Sequence, residues 1–366
     1  MSGEIHCDKA MRAPKVSILI PVFNGEKFLP ECLNSILDQD FTDLEILVAD
    51  DASTDGSATL IESYAARDQR IRWWKNSKNL GLGANWNSCL RAARGDYIKY
   101  VLQDDILLSP ATVGLMVAEL ENNATVTLVG SASQLVDAES QLMETRQYFN
   151  PGILEGLAII RQCLERSANR IGEPSVVMFR RAQADRGFDE RFRQLIDLEM
   201  WFHLLAQGKF AYLPEPLCAF RKHAAQQTVL NRRQIIPGTE ELMLFQTCYQ
   251  QPWFQAMLTR QLLFSQIYSL RRCRTAIAFR RQMLNDFGGG WYGVYWLKRK
   301  LTQPFIKLWR RLDRIFNGEI KHHTAGPWPV NPRGCSSLLP HDRSVRSLGA
   351  HGPIRSPSPQ TTQREK

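Results

Sequence analysis

The chain has 366 residues, of which 44% are hydrophobic and 23% charged, and a formal net charge of +9 at pH 7. These proportions are typical of a globular protein with one large or two ordinary domains, and they exclude a collagen-like, coiled-coil or wholly disordered chain. The net charge is −6 up to Phe254, +11 over residues 255–321 and +4 thereafter. An acidic body is therefore followed by a basic C-terminal third, which disfavours nucleic-acid binding by the body.

The pattern of hydrophobic residues predicts alternating strands and helices. In chain order, residues 16–23 read as a buried strand, 26–39 as a helix and 44–49 as a second buried strand. The same reading continues with a helix at 55–67, a strand at 71–74, a helix at 84–93 and a strand at 97–102. This alternation predicts an α/β fold with a mainly parallel central sheet and flanking helices.

After the helix start at Ser109-Pro110, the pattern continues to about residue 225. Helices are predicted at 111–123, 153–166 and 197–207, and strands at 125–133, 175–179 and 210–213, followed by a short apolar run at 217–220. We therefore predict four regions: a disordered N-terminus at 1–14, an α/β domain at 15–235, a basic helical region at 236–320 and a disordered, proline-rich tail at 321–366.

The cysteines and the apolar runs indicate the cellular compartment of the protein. The eight cysteines lie far apart without a CxxC pair, so we expect small apolar packing residues rather than a zinc module or a disulfide framework. The N-terminus has no apolar run typical of a secretory signal. No stretch approaches the roughly 18 apolar residues of a membrane span. The sequence predicts a cytoplasmic protein.

Acidic and polar residues follow the predicted strands. The motifs are PVFNGE at 21–26, DDASTDGS at 50–57, QDD at 103–105 and, further on, IDLEMW at 196–201. Ligands of open α/β sheets bind beyond the carboxyl ends of the strands. Paired carboxylates repel unless a cation or hydrogen bonds compensate, and Mg²⁺ or Mn²⁺ with substrate phosphates is the usual arrangement in nucleotide chemistry. A glycine-rich phosphate loop is absent from the sequence.

Three stretches of the chain resemble, in order, blocks of the family-two inverting glycosyltransferases, which have the GT-A (nucleotide-diphospho-sugar transferase) fold. They are VSILIPVFNGEKFLPECLNSILDQDFTDLEILVADDASTDGS, NLGLGANWNSCLRAARGDYIKYVLQDDILLSP and IDLEMWFHLLAQGKFAYLPEPLCAFRKHAAQQT. Together they cover roughly residues 15–228. The resemblance implies a GT-A domain of the bacterial polysaccharide type, followed here by a C-terminal helical extension.

The resemblance also implies a role for individual residues. The residues expected at the nucleotide are Pro21, Phe23, Glu26, Asp50, Asp51, Asn79, Gly81 and Gln103. Asp104, with Asp105 beside it, would bind Mn²⁺ or Mg²⁺, and His223, grouped with the metal ligands, and Arg221 would close over the diphosphate. Asp197 would be the general base and Glu199 a second carboxylate near the acceptor.

The sequence departs from the family pattern at two positions. Leu102 stands where members often have the first carboxylate of the metal motif, and Ile196 stands where a glutamate often precedes the base. The first departure leaves two alternatives, a lower metal affinity or a ribose held by another group. The second makes the pKa of Asp197 depend more on Glu199.

The predicted reaction is attack of an acceptor hydroxyl on the anomeric carbon of a nucleotide-diphospho-sugar. It needs one base near the hydroxyl and an electrostatic sink for the departing diphosphate, and direct displacement inverts the anomeric centre. We expect a UDP-sugar donor and a glycan acceptor that is lipid-linked. Two alternatives are a nucleotidyltransferase on a similar scaffold and a catalytically idle nucleotide-sugar-binding protein.

Some motifs also have structural interpretations. Asp50-Asp51 is typical of a helix-capping turn, and Asp104-Asp105 would suit a solvated loop before a helix. Glu199 also has an interpretation as a surface charge, and His223 as an ordinary loop histidine.

The segment 291–316 mixes aromatic residues with Lys and Arg, a pattern that suits a helix lying on an anionic membrane at the inner face of the plasma membrane. A helix packed on the acidic body and a dimer contact are the other interpretations of this segment.

Overall fold

The protein is described here from a computed structural model. The structure describes residues 13–226, 228, 231, 239–270 and 276–287. The predicted tail at 321–366, the aromatic and basic segment at 291–316 and nearly all of the N-terminal 14 residues lie outside the described residues. The predicted boundary between residues 235 and 236 also falls there, so the division into regions stays a prediction.

In the described part of the chain, ten strands form one sheet in the order β3-β2-β1-β4-β9-β6-β10-β5, with β7 paired to β6 and β8 to β10. The strands are β1 (Val16–Val22), β2 (Leu44–Asp50), β3 (Ile71–Lys75), β4 (Tyr97–Tyr100), β5 (Ile106–Leu107), β6 (Val126–Val136), β7 (Leu142–Arg146), β8 (Gly152–Glu155), β9 (Val177–Arg180) and β10 (Lys209–Arg221).

Ten α-helices accompany these strands within the described ranges. They are α1 (Leu29–Leu37), α2 (Ser57–Ala65), α3 (Leu82–Ala92), α4 (Thr112–Asn122), α5 (Gly156–Arg166), α6 (Ile196–Leu205), α7 (Thr239–Tyr249), α8 (Pro252–Met257), α9 (Arg260–Ser269) and α10 (Ile277–Phe287). A 3₁₀ turn at Pro174–Val176 precedes β9.

The first half of the sheet is parallel, as the sequence predicts. β1 pairs in parallel with both β2 and β4, and β2 with β3. In the second half, only β6 and β10 pair in parallel, whereas β9 runs antiparallel to both β4 and β6. The α/β fold class is confirmed, with antiparallel pairing concentrated in the second half.

The core lies on both faces of the sheet. Successive side chains of a strand point to opposite faces: Leu19 of β1 belongs to one buried cluster, and Ile18 and Ile20 belong to the other. Helices α1, α2 and α4 cover the second face, whereas α3, α5 and α6 cover the first. Covering on both faces explains why β1 and β2 are apolar without alternation.

Helices α7 to α10 pack into the same buried cluster as α3, α5 and α6. Phe245, Phe254, Leu263 and Met283 are at most 1% exposed, and all four belong to that cluster. The described helices after residue 238 therefore contribute to the core of the α/β body.

Two local sequence predictions were wrong, and the strands β5 and β7 were not predicted. Residues 152–155 form β8 rather than the start of a helix, because they pair with β10. Residues 174–176 form the 3₁₀ turn, where the sequence suggests a strand from 175. β7 was not predicted, since its side chains are largely exposed and give little hydrophobic pattern.

Two expectations about the chain as a whole can be compared with the described residues. Cys32, Cys89, Cys163, Cys218 and Cys248 are all free and buried, as expected for apolar packing. Among the described helices, none is both long enough and apolar enough to cross a membrane.

Candidate active site

The site lies where β1, β2 and β4 end. Phe23 follows β1 and is 46% exposed, and Gln103 follows β4. The Gln103 side chain accepts a hydrogen bond from the Phe23 amide at 2.7 Å and donates one to the Phe23 carbonyl at 3.0 Å. This double hydrogen bond joins two of the predicted nucleotide-binding loops and assigns Gln103 a scaffolding contact.

Asp50 closes β2 with a buried carboxylate, of which only one oxygen accepts a hydrogen bond from the described residues. Its Oδ1 accepts a hydrogen bond from the Ser53 amide at 3.1 Å. Among the described residues, Oδ2 has no hydrogen-bond partner, and the nearest cation, Lys75 Nζ, lies 3.6 Å away. Because a buried acceptor without a partner is costly, Oδ2 is suited to accept an N–H or O–H of a bound molecule.

Asp51 holds the loop before α3. Its Oδ1 accepts hydrogen bonds from the Leu80 amide at 2.8 Å and from Asn76 at 2.9 Å, and its Oδ2 accepts one from the Gly81 amide at 2.9 Å. Asn79 donates to the Asp51 carbonyl at 3.3 Å. Asp51, Asn79 and Gly81 thus come together, and Asp51 uses both oxygens within the protein.

Pro21 and Glu26 lie on either side of the exposed Phe23. Pro21 is buried in β1, where it pairs with Ala49 of β2. The exposed Glu26 accepts a hydrogen bond from the Gly56 amide at 2.8 Å, next to the start of α2. Of the predicted residues in this first loop, Phe23 and Glu26 are therefore the accessible ones.

Asp104 of the QDD motif and His223, which follows β10, form a pair. His223 Nε2 lies 2.9 Å from Asp104 Oδ2, and the two side chains are 13% and 14% exposed. The His223 ring also packs on Phe28, with ring centroids 4.7 Å apart. Residues 119 positions apart in sequence thus meet at this point.

Asp105 points into the protein. It is fully buried. Its Oδ2 accepts a hydrogen bond from the Ser175 hydroxyl, and its Oδ1 accepts one from the Arg221 amide at 3.1 Å. Burial, reinforced by the charge of Asp104, raises the pKa of Asp105 well above its usual value. Both oxygens are engaged below the loop, so the cation-binding role predicted for Asp105 has no support in this arrangement.

Arg221 also lies beneath the site rather than at its surface. Its side chain is 1% exposed and donates to the Asp104 carbonyl at 2.9 Å and to Ser140 at 2.8 Å. It further forms an ion pair with Glu31. These contacts hold the Asp104 loop against β10, so the predicted contact with diphosphate would require Arg221 to leave them.

Asp197 occupies the first turn of α6. Its Oδ1 accepts the hydrogen bond of the Leu198 amide at 2.7 Å, and its Oδ2 accepts one from Asn169 at 3.2 Å. Burial, with a further contribution from the negative charge of Glu173, raises the pKa of Asp197 to about 7. A carboxylate with this pKa can take up a proton near neutral pH, as a general base must.

Glu199 is turned away from Asp197. Side chains separated by two positions on a helix do not share a face. Glu199 is 7% exposed, and Arg186 Nη2 donates to both of its oxygens at 2.9 Å. Burial raises the pKa of Glu199, and the charge of Arg186 opposes the rise. Glu199 is therefore a partner of Arg186 in an ion pair. The sequence predicts instead a carboxylate near the acceptor or a surface charge.

Three residues that sequence reasoning missed connect these parts. Ser175 donates to Asp105 and accepts a hydrogen bond from the Leu102 amide at 2.9 Å. The fully buried Lys99 of β4 donates to the Ser175 carbonyl and, at 3.3 Å, to the Val177 carbonyl. Glu173 contributes to the raised pKa of both Asp105 and Asp197, so it lies near both. Only Lys99 could have been noticed from the sequence, because it is a charged residue inside an otherwise apolar strand.

A divalent cation fits part of this arrangement. The described residues contain no group of three or more His, Cys, Asp or Glu side chains arranged to hold a metal ion. The paired Asp104 and His223 supply two adjacent ligand atoms. Mg²⁺ and Mn²⁺ accept such a small protein contribution when substrate phosphates and water complete the shell.

The α/β fold and the carboxylates at the ends of β2 and β4 point to a glycosyltransferase with the GT-A fold. The model of the family described as glycosyl transferase family 2 matches residues 17–188. An uncharacterized protein of Mycobacterium tuberculosis is 31% identical over 245 residues, which cover 61% of this chain and 75% of that protein. The chain belongs to glycosyl transferase family 2.

Two enzymes with stated activities are also similar. Chondroitin synthase of Escherichia coli is 28% identical over 224 residues, which cover 61% of this chain and 31% of the synthase. The GalNAc(5)-diNAcBac-PP-undecaprenol β-1,3-glucosyltransferase of Campylobacter jejuni is 37% identical over 114 residues, or 31% of this chain and 37% of that enzyme. The chain thus spans less than two fifths of either enzyme.

Solved structures share the fold at low sequence identity. TarS 1–349 of S. aureus, in complex with UDP-GlcNAc, has a TM-score of 0.52 and 18% sequence identity. The match covers 75% of this chain and 71% of the TarS chain. The mannosyltransferase PcManGT of Pyrobaculum calidifontis, in complex with GDP-Man and Mn²⁺, has a TM-score of 0.51 and 16% sequence identity. The match covers 84% of this chain and 89% of the PcManGT chain. These likenesses confirm the GT-A fold.

Proposed function

We propose that the protein transfers a sugar from a nucleotide-diphosphate donor, a UDP-sugar, to a hydroxyl of a growing lipid-linked glycan, with inversion at the anomeric carbon. The observation that carries this proposal is Asp197, a carboxylate at the start of α6 whose pKa is raised to about 7. One base of this kind suffices for direct displacement, because the acceptor oxygen attacks as its proton moves to the base.

The donor nucleoside would lie across the ends of β1 and β2. Phe23 offers an exposed ring there, and the buried Oδ2 of Asp50, which has no hydrogen-bond partner among the described residues, offers an acceptor for an N–H or O–H of the base or ribose. The neighbouring structures bind UDP-GlcNAc and GDP-Man, which supports a nucleotide-sugar donor. The choice of UDP rests on the sequence resemblance.

Asp104 and His223 would hold Mn²⁺ or Mg²⁺ at the diphosphate. A cation there would supply Lewis-acid stabilisation of the negative charge on the leaving diphosphate. The Mn²⁺ in the PcManGT structure supports this choice of ion. Ser175, Lys99 and Arg221 would fix the loop that carries Asp104 through the hydrogen bonds described above.

The acceptor and the place of action are proposed from two observations. The similarity to the undecaprenol-linked glucosyltransferase supports a lipid-linked glycan. The excess of 11 positive charges over residues 255–321 supports peripheral binding to an anionic membrane face, where such an acceptor would be located. The protein would then act in polysaccharide biosynthesis at the cytoplasmic face.

Asp197→Asn tests the proposal. We expect turnover to fall by at least about 10²-fold, the usual contribution of a general base, while the affinity for the donor stays within a few-fold. The measurement is release of nucleoside diphosphate from UDP-GlcNAc, UDP-glucose and GDP-mannose in the presence of Mn²⁺, with binding followed by calorimetry. Unchanged turnover in the variant would contradict the assignment of the base.

Two controls accompany this test. Glu62→Gln changes an exposed carboxylate of α2 and should leave turnover unchanged. Because the folded-state pKa of Asp197 is raised, its stabilising effect is present at low pH and is lost as pH rises through about 7. Asp197→Asn should therefore be no less stable than the wild type above pH 7, so its lost turnover would not come from unfolding.

A further inference from the structure

A glutamate outside the three family-like blocks reaches the helix that carries Asp197. Glu240, in the first turn of α7, is 6% exposed. Its Oε1 accepts a hydrogen bond from the Arg193 amide at 3.0 Å. Its Oε2 accepts two more, from the Gln194 and Leu195 amides, both at 2.9 Å. One carboxylate therefore pairs with three consecutive backbone N–H groups.

These three amides lead directly into α6. Leu195 is the N-cap residue of the helix, and its own side chain makes no capping hydrogen bond. Free N–H groups at a helix start need acceptors, and a carboxylate near them is also favoured by the helix dipole. Glu240 thus accepts, from a distant helix, the N-cap N–H of α6 and the two N–H groups before it; in a capping box a Glu of the helix itself accepts the N-cap N–H.

The contact is made inside the body, where it is strong and costly to lose. Hydrogen bonds to an ionised carboxylate are stronger than neutral ones, and a buried carboxylate is tolerated only when its oxygens are paired. Asn231 adds a second tie to the same loop, through a 3.2 Å hydrogen bond to the Arg193 carbonyl. The loop 193–195 is thereby held from the C-terminal side of the chain.

Asp197 follows this loop by two residues. Its contacts, the Leu198 amide and Asn169, depend on where α6 begins. A displacement of about 1 Å of a catalytic group can cost about 10²-fold in rate. The tie from Glu240 to the loop therefore bears directly on the position of the proposed base.

We propose that Glu240 is a positioning residue for the transfer reaction, which fixes the start of α6 and hence the place of Asp197. The inference rests on the proposed function, since it takes Asp197 as the base. It makes α7, which lies outside the matched family region at 17–188, a working part of the active site.

The test is a double-mutant cycle with Glu240→Gln and Asp197→Asn, read by hydrolysis of whichever of UDP-GlcNAc, UDP-glucose and GDP-mannose the wild type turns over. Gln keeps the size of Glu but places an NH₂ group against the backbone donors. We expect kcat to fall by about 10- to 10²-fold with the donor KM little changed. In the Asp197→Asn background the same substitution should cost nothing further.

The outcomes separate the two proposals. If Asp197→Asn keeps the wild-type rate, or no donor is hydrolysed by the wild type, the proposed function fails. If Asp197→Asn is inactive but Glu240→Gln keeps its rate, or lowers the residual rate equally in both backgrounds, only the role of Glu240 fails. Glu62→Gln is the matched control.

A second variant and a second measurement guard against misfolding. Glu240→Asp keeps the charge with a shorter reach, and we expect its kcat to lie between those of the Gln variant and the wild type. Hydrogen exchange of the 193–195 amides should be faster in both variants than in the wild type, whereas exchange in β1 and β2 stays the same. Unchanged exchange at 193–195 would overturn the positioning role.

Discussion

Burial and one neighbouring carboxylate set the protonation of the candidate base. Asp197 has a pKa raised to about 7 by burial and by the charge of Glu173. Glu173 is itself held by Arg146, whose Nη1 lies 3.1 Å from Glu173 Oε1. The proton affinity of the base is therefore adjusted by a residue on the turn before β9, where the sequence carries no recognisable motif.

Glu173→Gln should shift the pH dependence of the reaction. Removing a negative charge near Asp197 makes the ionised form less unfavourable, so the pKa of Asp197 falls from about 7. The acid limb of the kcat profile should move to lower pH, measured between about pH 5 and 9. An acid limb that stays in place, or moves to higher pH, would show that Glu173 does not act on the base.

Asp104→Asn should remove the contribution of the cation to nucleotide binding. A ligand that binds only the folded state raises the melting temperature. We expect UDP with Mn²⁺ to raise the Tm of the wild type more than UDP alone, and the variant to lose this difference. Asp185→Asn, at an exposed position, is the control, and chelation should abolish turnover that Mn²⁺ or Mg²⁺ restores. An undiminished Mn²⁺ effect in Asp104→Asn would exclude Asp104 as a ligand.

At the scale of elements, loops between strand ends and helix starts hold the site. Asp51 ties the end of β2 to the start of α3, and Gln103 ties the loop after β4 to the one after β1. Gly81, the N-cap residue of α3, has φ +87° and ψ 164°. Such a backbone conformation is strongly unfavourable for any residue with a Cβ.

Gly81→Ala should lower the free energy of unfolding by about 1–3 kcal/mol. Nothing lies within 4 Å of a Cβ added at Gly81, and the same is true at Gly114 in α4. The two substitutions therefore differ in backbone conformation and not in crowding. Gly114→Ala should stabilise by about 0.5–1 kcal/mol. Urea unfolding measures both, and equal effects would contradict the conformational explanation.

At the scale of the whole molecule, the C-terminal third contains helices that are packed into the core and basic residues that lie partly beyond them. Helices α7 to α10 are built into the body, since Phe245, Phe254 and Met283 are at most 1% exposed. The net charge of +11 over residues 255–321 falls partly on these helices and partly beyond them. A truncation that tests membrane binding should therefore end after α10, at Phe287, so that the core stays intact.

Deletion of residues 288–366 should abolish binding to anionic membranes and leave donor binding unchanged. The reason is that clustered Lys and Arg with aromatic residues bind anionic headgroups at about 1 kcal/mol per basic residue. The measurement is co-sedimentation with vesicles of phosphatidylglycerol and phosphatidylcholine, with pure phosphatidylcholine as control. A truncated protein that still sediments with the anionic vesicles would contradict the membrane role of this segment.

Much of the fold and the neighbourhood of the site could be predicted from the sequence. The apolar runs of β1 and β2 and the helical spacing of α1 are local patterns, and strand ends of a parallel sheet converge on one edge. Asp50, Asp51 and Asp104 were therefore expected at that edge. The antiparallel pairing of β9 and the exposed strand β7 were beyond local pattern, since pairing partners and direction depend on residues distant in sequence.

The sequence by itself determined the α/β class, the family and the residues worth examining, because those follow from periodicity and motif order. Only the tertiary structure decided which of them contact one another. It pairs Asp104 with His223, turns Asp105 and Arg221 inward, gives Glu199 to Arg186 and brings Glu240 to the start of α6. Burial and charge pairing arise between side chains up to 190 positions apart, and they exist only once the chain has folded.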